Sequence, residues 1–225
     1  MFRLGIDVDG VVADFRSAFR ALAERELGIA AKDESALKKA DVERLWRTVA
    51  GVSNWWLDVP PYEPEQIVRL YARVRESRWE VFFMTSRPPS AGDSVQLQTQ
   101  VWLERHGFFL PSVLTAPAGA RGELARSLRL DLALDDRIVN CLEITSASNS
   151  KAVMVLRNPV ETNARESAEA RGVGVVSTLA EAVDAIERLD ALLSTRRGRL
   201  VRLADWFQVQ KDAPGLPHDP RGKRP

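Results

Sequence analysis

Cysteine and histidine are nearly missing from this chain of 225 residues. A single cysteine, Cys141, excludes an internal disulfide and a thiolate metal cluster. It suits a reducing compartment, and it reads as a small buried hydrophobe in a helix. The two histidines are no better placed: His106 falls at a helix end beside Gly107, and His218 lies near the C-terminus. A zinc site or a histidine nucleophile therefore lacks its ligands. No stretch approaches the roughly 18 uninterrupted apolar residues of a membrane span. The opening shows no basic segment followed by an apolar run, so no secretion signal is expected and a cytoplasmic location is. An excess of one charge is missing too. Against 31 acidic residues stand 32 Lys and Arg, a net charge of +1, which gives no global field for nucleic acid or a membrane surface.

What the chain does have is apolar content, 45% of its residues, enough for one large core with an insertion. Strand-like and helix-like segments alternate, which predicts an α/β protein with a parallel sheet. The first strand, in FRLGIDVDG, leads to an amphipathic helix over 15–28 stopped by Gly28, and a polar helical stretch runs through ADVERLWRTVAG. An aromatic loop, SNWWLDVPPYEP, follows. Helices are expected over 64–77, 95–107, 121–128 and about 161–171, and strands in WEVFFMTSRPP, SVLT, DLALDD, KAVMVLRNP and GVGVV. A last helix is signalled by Thr178 and Glu181, which suit a capping box. The expected division is a core of 1–14 and 63–195, a helical insertion of 15–62, and a basic, Pro/Gly-rich tail of 196–225, at least partly disordered. Within that tail Leu200 to Phe207, containing Trp206, has the apolar content to pack on the domain or on a second subunit, which leaves a homodimer open.

Chemistry concentrates at strand ends. Asp7 and Asp9 leave the first strand together, and Gly10 lets the backbone turn there. One such carboxylate can attack phosphorus and the other can handle a proton. Thr85, Ser86 and Arg87 end the FFMTSRPP strand; a hydroxyl, turn amides and a planar fork all suit phosphate oxygens. Asp135 and Asp136 end DLALDD. Adjacent acids repel unless a cation or hydrogen bonds offset them, which an oxygen-bound Mg²⁺ would do. Taken singly, each of these groups also suits a turn or a helix cap.

In this order the residues resemble the haloacid dehalogenase superfamily of phosphohydrolases, over roughly residues 1–193. The resemblance implies a Rossmann-like parallel sheet flanked by helices, with 15–62 as a small helical cap of the C1 type. It implies Asp7 as nucleophile, Asp9 as acid/base, Ser86 or Thr85 as the phosphate-binding hydroxyl, and a Mg²⁺ held by Asp7, the backbone carbonyl of Asp9 and one of Asp135 and Asp136, with Asp136 preferred for direct contact. Within the superfamily DVDGVVADF, TSRP and LDDR followed by Asn140 look most like the 5′(3′)-deoxyribonucleotidase group, which implies a nucleoside monophosphate as the small phosphorylated partner. Another metabolite phosphatase or phosphotransferase, or a weakly active phosphate-binding regulator, remains open. One motif departs. Where such proteins carry a lysine some fourteen positions before the acid pair, this chain has Arg121, with Arg126 as a second candidate on the same helix. Arginine keeps the charge but is bulkier and planar. Phe15, Phe19, Trp46, Trp55, Trp56 and Tyr62 offer aromatic faces for a base or sugar, or simply a core for the cap.

Overall fold

The structure, a computed structural model, describes residues 2–28, 37–157 and 162–194. Its elements run β1 (Arg3–Asp7), α1 (Phe15–Leu27), α2 (Lys39–Gly51), a 3₁₀ turn (Trp55–Asp58), α3 (Pro64–Ser77), β2 (Glu80–Thr85), α4 (Val95–Arg105), β3 (Ser112–Thr115) and α5 (Arg121–Leu128). They continue with β4 (Leu132–Asp135), α6 (Ile138–Ala147), β5 (Lys151–Val155), α7 (Thr162–Ala170), β6 (Gly174–Val176) and α8 (Leu179–Ser194).

All six strands are parallel, in the order β3-β2-β1-β4-β5-β6. The chain winds outward from β1 to one side and then returns to build the other, so β1 and β4 flank the point where strand order reverses. A crevice opens there, beyond the carboxyl ends of the strands. Register decides which residues meet in it. Ile6 pairs with Leu134 and Asp7 with Met84, so Asp7, Asp135 and the turn after Thr85 come out level. The sheet is covered on both faces, which explains strands that read as continuous apolar runs. Leu4, Ile6, Leu132, Leu134 and Val153 join a core with α3 and α8 residues such as Ile67, Leu70, Val183 and Ile186. Ala133, Ala152 and Met154 face the other way, against Ala125 of α5 and Cys141 and Ile144 of α6.

Local signals set the helix ends. Asp14 accepts a hydrogen bond from the amide of Ser17 at the start of α1, and Gly28 closes it in the left-handed region. Pro64 opens α3. Two expectations shift in detail. Thr178 does accept from the Glu181 amide at 3.0 Å, but the Glu181 carboxylate reaches the Ser177 amide at 2.7 Å, one residue before the cap. The aromatic loop folds into the 3₁₀ turn, because Asn54 takes a left-handed conformation and the two following tryptophans are buried. Among the described residues no helix is long and apolar enough to cross a membrane. The basic tail from 196, with Leu200 to Phe207 and His218, lies outside the described residues.

Candidate active site

Asp7 is the last residue of β1 and only 6% exposed. One oxygen of Asp7, one of Asp135 and one of Asp136 all lie within 4.8 Å of one another, close enough to share a cation. Asp135 is fully buried and its oxygens are engaged: the Arg137 amide donates at 2.9 Å, the Asn140 side chain at 2.9 and 3.1 Å, and Arg121 Nε at 3.4 Å. Asp136 instead lines the crevice. Both acids precede α6, which begins at Ile138, and neither fills the cap position, which Arg137 holds. Burial pushes the Asp7 carboxyl well above its usual range, as do the charges of Asp135, Asp136 and Asp9, against the pull of Arg121. Asp135 is raised as well, mainly by burial, and Asp136 is pushed up to about 7 by burial and by Asp135.

Arg121 opens α5, is 3% exposed and reaches straight into this cluster. Its Nη2 donates to Asp7 Oδ1 at 2.5 Å and to the Met84 carbonyl at 3.4 Å, while its buried Nη1 has no hydrogen-bond partner among the described residues. Close packing of α5 on α6 aims it: a Cβ on Gly122 would lie 2.6 Å from the Glu143 carbonyl and 2.7 Å from the Ala147 methyl. Arg126 is exposed on the far side of α5. Gly10 has φ of 87°, and a Cβ there would collide with the Asp136 carboxylate, so only glycine lets the loop after β1 approach β4 so closely.

The turn after β2 divides its groups. Thr85 is buried, with its hydroxyl accepting from the Arg87 amide at 3.2 Å, whereas Ser86 is exposed and lines the crevice. Arg87 places Nε and Nη2 on the two oxygens of Asp9, each at 2.8 Å, and stacks on Trp56 with 4.6 Å from guanidinium carbon to ring centre.

From these groups a cavity of about 640 Å³ extends under α1 and α2. Phe15, Phe19, Trp46 and Trp56 form one wall, and Arg16, Arg20 and Arg137 add positive charge. Phe15 stacks on Trp46 at 5.6 Å and on Trp56 at 6.0 Å, so the wall is a packed cluster with one face open. Trp55 does not reach the cavity; it packs edge-on behind Trp56 at 4.8 Å. The wall is tied to the core. Val12 O accepts from the Tyr62 amide at 3.0 Å, Pro60 O from the Asp14 amide at 2.7 Å, and Ala91 O from the Asn54 amide at 2.7 Å.

Arg157, at the end of β5, was not singled out from the sequence, nor was Glu63. Arg157 donates to Glu63 and to the Val11 carbonyl, and lies 4.2 Å above the Tyr62 ring. Glu63 also accepts from the first amides of α8, Leu179 at 2.9 Å and Ala180 at 3.1 Å. Burial would raise Glu63, but these donors hold it below its ordinary value. The signal for Arg157 was the one that marked Asp7, Ser86 and Asp135, a polar residue directly after an apolar strand.

Comparison with solved structures finds the same architecture elsewhere. A hydrolase from Pseudomonas syringae superposes with a TM-score of 0.54 at 12% identity, covering 84% of this chain and 99% of its own. A Thermotoga maritima protein assigned as a beta-phosphoglucomutase gives a TM-score of 0.50 at 14% identity, with the same coverage of 84% and 99%. At such identities the fold is what is shared, and it is the Rossmann-like parallel sheet flanked by helices that the sequence led us to expect. No family model matches the chain, and no curated protein does.

Proposed function

We propose that the chain is a cytoplasmic phosphomonoester hydrolase of the haloacid dehalogenase superfamily, with Asp7 as nucleophile and Asp9 as acid and base. Residues 15–62 are its cap, over a core of 1–14 and 63–195. The observation that carries this reading is the meeting of Asp7, Asp135 and Asp136 around Arg121 at the floor of a cavity. Three clustered carboxylates with one arginine among them leave a negative balance, and burial makes it costly. That donor set fits a hard divalent cation such as Mg²⁺, held by Asp7 and Asp136 with Asp135 behind them. Bound there, the cation would supply charge neutralisation for phosphate and carboxylates brought close together.

This chain's own residues then have separable tasks. Ser86 and the free Nη1 of Arg121 offer hydrogen bonds to phosphate oxygens. An Asp7 oxygen attacks phosphorus; the bond from phosphorus to the leaving oxygen breaks, and Asp9 delivers a proton to that oxygen. Asp9 then takes a proton from water as it attacks the aspartyl-phosphate, and Asp7 is regenerated with inorganic phosphate released. The aromatic wall supports a nucleoside monophosphate as substrate, since base–aromatic stacking is worth about 1–3 kcal/mol. The beta-phosphoglucomutase assignment of one fold neighbour brings sugar phosphates in as the second reading. Phosphate release from nucleoside monophosphates, sugar phosphates and p-nitrophenyl phosphate, with Mg²⁺ or EDTA, tests the reading. Metal-dependent turnover that vanishes in Asp7→Asn is expected; equal turnover in that variant would remove Asp7 as nucleophile.

A further inference from the structure

We infer that Arg87 is a positioning residue that clamps the acid/base carboxylate of Asp9, and that it is not a ligand of the substrate phosphate; the inference rests on the phosphatase reading above. The sequence had offered the fork of Arg87 to a phosphate. In the folded chain that fork is already used. Nε and Nη2 bond the two oxygens of Asp9 at 2.8 Å each, and Nη1 bonds Thr99 Oγ1 at 3.1 Å. Thr99, fully buried in α4, is itself fixed by donating to the Val95 carbonyl at 2.8 Å. The Arg87 side chain has no exposed surface, and the Trp56 ring covers one face of the guanidinium at 4.6 Å. Arg87 borders the cavity, but its side chain is fully covered there, and Asp9 holds the edge of the fork that a phosphate would take.

Two parallel hydrogen bonds fix the plane of a carboxylate as well as its place, which a lysine's single ammonium does not do. Asp9 needs that help. It stands on the loop after β1, outside the sheet, where Gly10 turns the chain, and it is shared by both half-reactions. The backbone around the clamp is pinned independently: Trp56 Nε1 donates to the Pro88 carbonyl at 3.0 Å, and the Trp56 amide donates to Gln98 Oε1 at 3.2 Å. Trp56 also faces the cavity, so the clamp and the substrate wall share one side chain.

Leaving-group dependence tests this. A nucleoside 5′-monophosphate expels an alkoxide that requires the Asp9 proton, whereas p-nitrophenolate departs with little need of it. For Arg87→Lys, kcat/KM is expected to fall about 100-fold on the alkyl ester and less than about tenfold on the aryl one. Inhibition by inorganic phosphate should stay within about twofold of wild type. Thr99→Val, which leaves the fork but removes its anchor, should show the same imbalance at smaller size. Equal losses on both substrates, or a weakened phosphate inhibition, would overturn the clamp in favour of a structural or phosphate-binding role. A crystal structure of Arg87→Lys serves as the readout independent of activity: a disordered or rotated Asp9 supports the clamp, and an Asp9 in unchanged orientation overturns it. A wild type without turnover on either ester would instead remove the phosphatase reading, and that structure would still decide the clamp.

Discussion

The floor and the wall of the cavity are built in opposite ways. The floor draws Asp7, Asp135 and the turn at Thr85–Ser86 from the ends of three neighbouring parallel strands, so sheet register alone brings them level. The wall draws Phe15 and Phe19 from α1, Trp46 from α2 and Trp56 from a 3₁₀ turn, joined by ring packing and held to the core by backbone bonds at Ala91, Pro60 and Val12. The clustered carboxylates sit at the ends of sheet strands, and the aromatic rings sit on helices and a turn that meet through side chains. Substitutions in the floor should therefore change whether chemistry occurs, and substitutions in the wall which molecule undergoes it.

The largest effect is expected at Asp7. Asp7→Asn should lower turnover by about 10⁴-fold or more on every substrate, because the carboxylate proposed as nucleophile is replaced by a neutral amide. Losses that differ among substrates would break the contrast between floor and wall. Arg121 comes next. Arg121→Met leaves Asp7 and Asp135 buried without their cation, and breaking a buried pair in this way costs about 3–5 kcal/mol. Thermal melting should show a larger loss at high pH than at low pH, because burial raises both carboxyls and proton uptake relieves the unpaired charge. Arg126→Ala, on the exposed side of the same helix, should change neither melting nor turnover.

A smaller effect links pH to metal. The Asp136 carboxyl has an ordinary value of 3.8 and is pushed up to about 7 in the fold. The folded chain thus holds a proton that the unfolded chain has released, so its contribution to stability is complete below pH 3.8 and is lost as pH rises toward 7. Raised Asp7 and Asp135 act in the same direction. Metal-free protein should accordingly melt at a falling temperature across this window. Mg²⁺ at a hundredfold excess over its Kd should restore about 2.7 kcal/mol near neutral pH, where the ligands are ionised, and little at pH 5. A melting temperature indifferent to Mg²⁺ at pH 7.5 would mean that the cluster does not hold the cation.

The legibility of the two regions differs for the same reason. Strand ends are local: an apolar run stopped by an acid or a hydroxyl exposes Asp7, Ser86 and Asp135 in the sequence, and parallel order then assembles them. The helix from Pro64 to Ser77 and the strand SVLT were equally readable, since Pro at a helix start and the apolar periodicity are near-neighbour signals. What the sequence did not carry was partnership across long separations. Arg87 looked free for an anion because nothing local shows that Asp9, 78 positions earlier, takes its fork. Glu63 and Arg157, 94 positions apart, meet only because β5 ends beside the start of α3. Nor does the pair Trp55-Trp56 say which ring faces the cavity; the left-handed Asn54 that begins the turn decides it.

The smallest expected effect separates the two neighbouring tryptophans. Trp56 lines the cavity and Trp55 lies behind it, with the rings crossing at 87°. Trp56→Phe trims the wall but also touches the Arg87 clamp, so its effect on a single substrate would mix the two. A nucleoside 5′-monophosphate and ribose 5-phosphate break the same kind of bond, and in the ratio of their kcat/KM values any change at Asp9 cancels. Trp56→Phe should shift that ratio by about three- to tenfold against the nucleotide, part of the stacking energy of one base. Trp55→Phe should lower the melting temperature and leave the ratio alone. If Trp55 moved the ratio as far as Trp56, the wall would be acting through its packing rather than through the face it presents to the substrate.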